Sequence, residues 1–452
     1  MSFLLFSKGV WWGLGIVFLI GSVWSSYIYP ITGWSLGSYY DLKRHLVIFF
    51  FLTVSLFIFL VREVRLVSMY RRDWFIVVLF FFIGGVAAGI SDKPYWGGVE
   101  LSNYGLLFWG FLILSSTARV LDRVELLRYL YCFILIFTLF LFVRFFLSLL
   151  FNLMNGNEPN VHQLISGFVN ARFLNQLQVM LLPLLLLPFF LERLSEFKRV
   201  SILLIAFHWM VLFQTEARGA ILSLIVSVFV VSFVVTRGFR VLLFSVLVRS
   251  ALVGGGLWVI FILALPYLFI GETGFVFRTD TSGRLDMWAY ILKEGGKSFW
   301  FGYGPMSFSW ADGNPLNNAH PHNFVLQLLY EYGLAVAVIL VIWGGGLLWN
   351  LLKMIKENRV DNERVILSVS IIAAVAYSFL SGVFVMPFSQ LMFIAVLSLL
   401  YQSYGEVRLF FVRRFFFSGV LILVCLVLVS SYQHDDLIPN IYPRLWSDGQ
   451  ID

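Results

Sequence analysis

The run RYLYCFILIFTLFLFVRFFLSLL, residues 128–150, decides the class of fold. Between its first residue and its last it carries one further charge, Arg144, and nothing that breaks a helix. At about 1.5 Å per residue such a run covers more than the roughly 30 Å of a bilayer's hydrocarbon core. Backbone N–H and C=O groups have no water to bond there, so the run must be helical. Arg144 reads either as a buried helper or as a sign that the span is bounded differently.

Comparable runs recur along the chain, at about 10–28, 45–61, 74–91, 103–117, 173–191, 200–214, 219–236, 250–270, 323–352, 365–386, 390–404 and 415–432. With 128–150 they predict an all-α polytopic integral membrane protein of about 12–13 transmembrane helices. The shortest, 103–117, 200–214 and 390–404, are candidates for tilted, broken or re-entrant segments. The whole chain reads as a single membrane domain, 1–452, with no repeat and no soluble unit.

Composition agrees. Of 452 residues 60% are hydrophobic and 13% charged, about half the charged share of soluble domains. Cys132 and Cys425 stand far apart in apolar runs, without the spacing of a metal or redox motif. The first apolar run lacks a convincing cleavage site, so it reads as a span and not as a removed signal. A net charge of +7 invites a nucleic-acid reading, but the basic residues sit in short clusters between spans. Arg62, Arg65, Arg71, Arg72, Arg119, Arg123, Arg128, Arg193, Lys198, Arg199, Arg237, Arg240, Arg249, Lys353, Lys356, Arg359, Arg364, Arg408, Arg413 and Arg414 fall in alternate loops, 20 of the 32 basic residues. By the positive-inside rule those loops are cytoplasmic. The opposite face receives 29–44, 92–102, 151–172, the corner 215–218, a large loop 271–322, the corner at Met386 to Gln390 and a short tail, 433–452. The loop is far longer than an ordinary connection, and its tryptophans and glycines do not have the composition of disorder.

Chemistry-bearing residues gather on that outer face. His320-Pro321-His322-Asn323 opens a span, followed by Gln327 and Glu331 at helical spacing. The polar stripe reads either as a cap with bonds to neighbouring helices or as a catalytic pocket in which a neutral histidine takes a proton from a hydroxyl. In Thr281-Ser282-Gly283-Arg284-Leu285-Asp286-Met287-Trp288, Arg284 offers a donor fork suited to phosphate, or else an ion pair with Asp286 or Asp280. Arg218, in Thr215-Glu216-Ala217-Arg218-Gly219, lies close to hydrocarbon and needs a partner, such as Glu216, a function, or simply a snorkelling path. Arg172, in Asn170-Ala171-Arg172-Phe173, is either an interfacial anchor beside a helix cap or a third cation of the site. Gly295-Gly296-Lys297-Ser298 is no phosphate loop, because Ile291 fills the first glycine position. No His-Glu-x-x-His pair, nucleophile elbow or aspartate cluster is present, and His162, His208 and His434 stand isolated as structural residues.

The ordered series Thr-Glu-Ala-Arg-Gly (215–219), Ser-Gly-Arg (282–284) with Trp288, Phe-Gly-Tyr-Gly (301–304), and His-Pro-His-Asn leading into Leu-Gln-Leu-Leu-Tyr-Glu-Tyr-Gly (326–333) resembles the O-antigen ligase family. That superfamily also holds O-antigen polymerases and bacterial O-oligosaccharyltransferases, and the likeness spans roughly 165–335. The resemblance implies a GT-C-like fold with the large loop in the periplasm of a bacterium and the chain multi-pass in its inner membrane. It implies transfer of a glycan from an undecaprenyl diphosphate carrier to an acceptor hydroxyl, with no cofactor and no obligatory metal. By the same analogy His322, Arg284 and Arg218 are catalytic, the arginines binding diphosphate and His322 orienting or deprotonating the acceptor. Arg172, His320, Asn323 and Glu331 would bind substrate around them. A base opposite the leaving group makes the expected reaction an inverting displacement. The acceptor stays open: lipid A-core is placed first, a pilin or other protein second and a second lipid-linked glycan third. Membrane lipids are expected partners and nucleic acid is not. A transporter of lipid-linked glycans, with the same arginines lining a path, is the reading from another class; it predicts mid-span charges and an inverted repeat.

Overall fold

Short polar residues start the long helices. Ser2, Ser38, Asp122, Thr236 and Asn323 each accept a hydrogen bond from a backbone N–H in the first turn that follows, which the helix itself cannot satisfy. In the computed structural model the described residues are 1–21, 38–165, 167–273, 275, 283–296, 298–316, 318–402 and 405–452. The apolar runs become α1 (Phe3–Leu19), α2 (Tyr39–Leu60), α3 (Arg71–Ile90), α4 (Pro94–Val120), α5 (Arg123–Met154), α6 (Ala171–Leu184), α7 (Lys198–Gln214), α8 (Arg218–Ser232) and α9 (Arg237–Trp258). A short loop helix α10 (Arg284–Glu294) precedes α11 (Phe324–Lys356), α12 (Asn362–Ser378), α13 (Pro387–Leu400) and α14 (Phe411–Ser430).

The structure is 74% helical, so the fold is all-α. Among the described residues eight helical segments are long and apolar enough to cross a membrane: α2 to α5, α6 continued to Phe190, α9 continued to Ile270, α11 and α14. α1, α8 and α13 are shorter apolar helices, and α7 and α12 have 17 residues each. Among the described residues every predicted run has its helix, although 22–28 of the first run lie outside them, and fewer than 12 meet the length of an independent span.

Several boundaries move, with a common cause. The first run was expected at 10–28, yet α1 starts at Phe3, capped by Ser2. α2 and α4 begin well before 45 and 103, absorbing the polar stretches Tyr39 to Arg44 and Pro94 to Ser102. Those polar turns are helical because their side chains find partners at the end of the bundle, as described below. The segment 237–249, expected as a loop, is the first half of α9, which passes through a π-helical turn at Val259–Ala264.

One continuous apolar core runs from Phe6 to Ile451. Outside it Phe75, Phe82, Leu252, Phe411, Val412 and Phe416 are exposed, the surface expected of helices bathed in hydrocarbon. At one end a ribbon pairs β1 (Val64–Ser68) with β2 (Gly405–Leu409), tied by Arg408 to Glu63 at 2.7 Å. It joins two of the Arg-rich loops, which therefore share a side. Within the bundle His208 bridges Thr138 at 3.2 Å and Gln178 at 3.0 Å, the structural use expected of it.

At the opposite end the described part of the loop packs on α11. Met287, Ile291, Phe308 and Tyr330 form a small core of their own. α11 breaks at Gly333, whose φ of 78° and ψ of 175° leave the helix. The break leaves carbonyls of the preceding turn without helical donors, and the loop supplies them: Tyr303 N–H donates to Tyr330 O and Gly304 N–H to Glu331 O, both at 2.9 Å. A Cβ on Gly333 would sit 2.2 Å from Trp300 O, so only glycine fits between loop and helix. The Phe-Gly-Tyr-Gly and Tyr-Glu-Tyr-Gly motifs thus interlock.

Candidate active site

His320-Pro321-His322-Asn323 lies where the loop turns into α11. Asn323 caps the helix, accepting from Leu326 N–H at 3.1 Å. Immediately before it His322 adopts φ 56°, a left-handed conformation costly for a residue with a side chain. Trp288 of α10 pins the turn by donating from Nε1 to Pro321 O at 3.1 Å. His322 N–H donates to His320 Nδ1 at 3.3 Å, so the neutral His320 ring carries its proton on Nε2. The two rings stand 4.3 Å apart at 75°, and Gly382 leaves the space that His320 fills.

Both rings are buried. Among the described residues neither ring nitrogen of His322, nor Nε2 of His320, has a hydrogen-bond partner. Buried polar atoms are nearly always paired, so an imidazole with no protein partner on either nitrogen stands apart from the other buried polar groups of this turn. Burial, followed by the positive charges of Arg444, Arg172 and Arg284, pushes His320 down to about 3. Burial first, then His320, Arg284 and Arg172, holds His322 well below its ordinary value of 6.5. Both are neutral at pH 7 and able to accept a proton.

The arginines surround them. Arg172 stands in the first turn of α6, where Asn170 Oδ1 accepts its N–H at 2.9 Å. Arg284 begins α10 after Gly283, which takes φ 64°. Burial, then the charges of Arg172 and Arg218, lower the Arg284 pKa, and its Nε is buried without a partner. Among the described residues no carboxylate pairs with Arg284; Asp286 is exposed, whereas Asp280, Thr281 and Ser282 lie outside the described residues. Arg218 opens α8 at an exposed corner where Glu216 takes φ 46°. The next residue, Gly219, lets Tyr377 of α12 approach to within 3.2 Å of where a Cβ would be, and Tyr377 in turn feels the charges of Arg284 and Arg172. Four separate parts of the sequence therefore bring Arg172, Arg218, Arg284, His320 and His322 together.

Glu331 and Gln327 have a different use. Gln327 Nε2 is 3.5 Å from Glu331 Oε2, and Glu331 receives both arms of the Arg444 guanidinium, at 2.5 and 2.6 Å. Arg444 also reaches Glu100 of α4 at 2.9 Å. The stripe is thus a cap followed by bonds to neighbouring elements, the blander of its two sequence readings.

Arg444 belongs to the tail, and the tail supplies what sequence reasoning missed. A small hairpin of β3 (Leu437–Pro439) and β4 (Asp448–Ile451) carries the loop between them back over the bundle. Tyr442 in that loop meets His322 at 4.7 Å, nearly edge-on, and lies under the guanidinium of Arg172 at 5.3 Å. The signal available was slight: the dense Tyr-Pro-Arg-Leu-Trp of residues 442–446 in a tail otherwise short and polar.

Residues 201–341 match the O-antigen ligase family. The match supports the O-antigen ligase and polymerase superfamily. The match covers about a third of the chain, α7 through the break in α11, and so contains Arg218, Arg284, His320, His322 and Glu331. Arg172 and Tyr442, from outside the ligase domain, are folded onto it. No curated protein and no solved structure matches the chain. The similarity supports a membrane glycosyl-transfer enzyme of the ligase and polymerase kind.

Proposed function

We propose that this protein transfers a glycan from undecaprenyl diphosphate to an acceptor hydroxyl at the periplasmic face of a bacterial inner membrane, with lipid A-core as the first-ranked acceptor. The observation that carries the reading is the convergence of Arg172 and Arg284 on a buried, neutral His322 whose ring nitrogens lack partners among the described residues, with Arg218 close enough to act on Arg284. Arginine forks suit the oxygens of a diphosphate, and in a site with little water they stabilise the charge that grows on a leaving group. His322 takes the acceptor's hydroxyl proton as that oxygen attacks the anomeric carbon. The bond from that carbon to the phosphate oxygen breaks, its electron pair leaves with undecaprenyl diphosphate, and the anomeric centre inverts. His320 lies behind this base, and the chain forms one membrane domain with loop 271–322 and tail 433–452 on its periplasmic side. The charges cluster at one end of the bundle and not at mid-span, which favours an enzyme over a conduit for lipid-linked glycans.

The test is transfer by the full chain reconstituted with polyprenyl diphosphate glycan, offering lipid A-core, a pilin peptide and a second donor molecule as separate acceptors. Product with lipid A-core, abolished by Arg284→Ala, is expected. Product only with one of the other two moves the assignment to protein transferase or polymerase. Donor bound by folded protein with no product on any acceptor overturns the enzyme reading in favour of transport.

A further inference from the structure

Tyr442 lies outside the matched ligase domain, yet it touches the base and one of the cations at once. Its ring is 4.7 Å from the His322 ring at 87°, and the Arg172 guanidinium stands 5.3 Å from its centroid. These are an edge-to-face aromatic contact and a cation–π contact, each favourable and each directional.

The loop that delivers Tyr442 is held rigidly. Asn440 Oδ1 accepts Tyr442 N–H at 2.7 Å, and Asn440 N–H donates to Ser447 O at 3.3 Å across the loop. Pro443 follows, fixing its own φ. One residue further, Arg444 is locked between Glu100 and Glu331, and its carbonyl accepts from Tyr40 Oη at 2.6 Å. Ser447 N–H donates to Asp41 Oδ1 at 2.6 Å, and Trp446 Nε1 to Ser431 at 2.9 Å. A residue serving only to fill space would not need anchors on α2, α4, α11 and the end of α14. The imidazole of His322, with no hydrogen bond of its own among the described residues, depends on packing to hold its place.

We propose that Tyr442 is a positioning residue for His322: the anchored tail lays its ring against the imidazole and under Arg172, setting the base at a fixed place relative to the diphosphate-binding cation and keeping water away from it. The inference rests on the reading of His322 as the acceptor's base. The groups facing His322 are His320 from its own turn, Arg284 from α10, Arg172 from α6 and Tyr442 from the tail, with Arg444 behind His320. Losing the tyrosine ring admits water, which relieves the burial that keeps the imidazole neutral.

The experiment compares the full-length reconstituted enzyme with its Tyr442→Ala, Tyr442→Leu, Tyr442→Phe and His322→Ala variants, on whichever acceptor supports transfer. Tyr442→Ala is expected to lower kcat by about 10- to 100-fold, the scale of a misplaced reacting group, with a smaller change in donor KM. The acid limb of its kcat/KM profile moves up in pH, which simple loss of folded protein would not cause. Tyr442→Phe recovers most of the lost turnover, because the ring and not the hydroxyl makes both contacts. If Tyr442→Ala does not fold, Tyr442→Leu, which keeps apolar bulk in the loop, is read by the same criteria. A kcat within about twofold of the parent, with an unmoved acid limb, overturns the inference while His322→Ala is inactive. Full activity in His322→Ala overturns the base reading and this inference with it.

Discussion

Arg444 and Arg284 lie at the same end of the bundle and both act on His320, but their surroundings differ. Arg444 is 1% exposed and meets two carboxylates that are 4% and 0% exposed, so its charge is answered inside the protein. Arg284 is only partly buried and stands beside other arginines, with no carboxylate paired to it among the described residues and with its buried Nε bare. Burying an unanswered cation is unfavourable, and it persists where the fold elsewhere supplies the stability and a ligand supplies the countercharge. The first cluster is complete as folded. The second, on the proposed reading, takes its countercharge from a bound diphosphate, and this is the physical difference between a clamp and a site.

Breaking each cluster should therefore have opposite consequences. The largest effect belongs to His322→Ala: turnover falls by roughly 10²- to 10⁴-fold in the reconstituted transfer assay. Its thermal midpoint in detergent stays at or above that of the parent, since the group removed is buried and unsatisfied. A large fall in the midpoint instead would class His322 with the clamp. Arg444→Met does the reverse, destabilising the fold by about 3–5 kcal/mol because Glu100 and Glu331 are left buried without their partner. Chemical denaturation measures it, and Arg444→Met combined with Glu331→Gln should recover part of the loss.

The next effect is on pH. Because burial and neighbouring cations lower the His322 pKa, the ring stays neutral as pH falls below 6.5. The acid limb of kcat/KM, which reports the uncomplexed enzyme, is expected below pH 6.5. With a diphosphate bound to the arginines the same limb in kcat shifts to higher pH, because the countercharge offsets the cations. The stability linkage has the matching sign: a depressed histidine pKa contributes in full above its unfolded value and is lost as pH drops toward the folded one. A kcat limb below that of kcat/KM would show that the donor's charge does not reach the arginines. Smallest is Asn323→Ala, which removes a helix cap worth about 1 kcal/mol and lowers activity only as far as it loosens the His322 turn. A loss as large as that of His322→Ala would make Asn323 part of the chemistry.

The sequence by itself determined the helices and the residues proposed for the chemistry. Hydrophobic runs locate helices because a backbone in hydrocarbon has no alternative, and α5 grew out of 128–150 with only its ends extended. Arg172, Arg218, Arg284, His320 and His322 were legible because charged and polar side chains beside hydrocarbon are rare and stand out from their neighbours. Only the tertiary structure decided which polar residues answer one another. The outer turns of α2 and α4 look like loop when read alone, because Asp41, Arg44, Glu100 and Asn103 seem too polar for a buried helix. They are helical because Arg44 meets Asn103 at 3.0 Å and Gln390 at 2.6 Å, and Asp41 and Glu100 meet the tail. Glu331 looked like a substrate ligand until Arg444, 113 residues away, occupied it. Tyr442 carried only the slight signal of its aromatic, proline-containing stretch, because a contact between distant segments leaves no periodicity to read. Local chemistry is written in the order of residues, while the answer to a buried charge depends on which distant segment the fold brings to it.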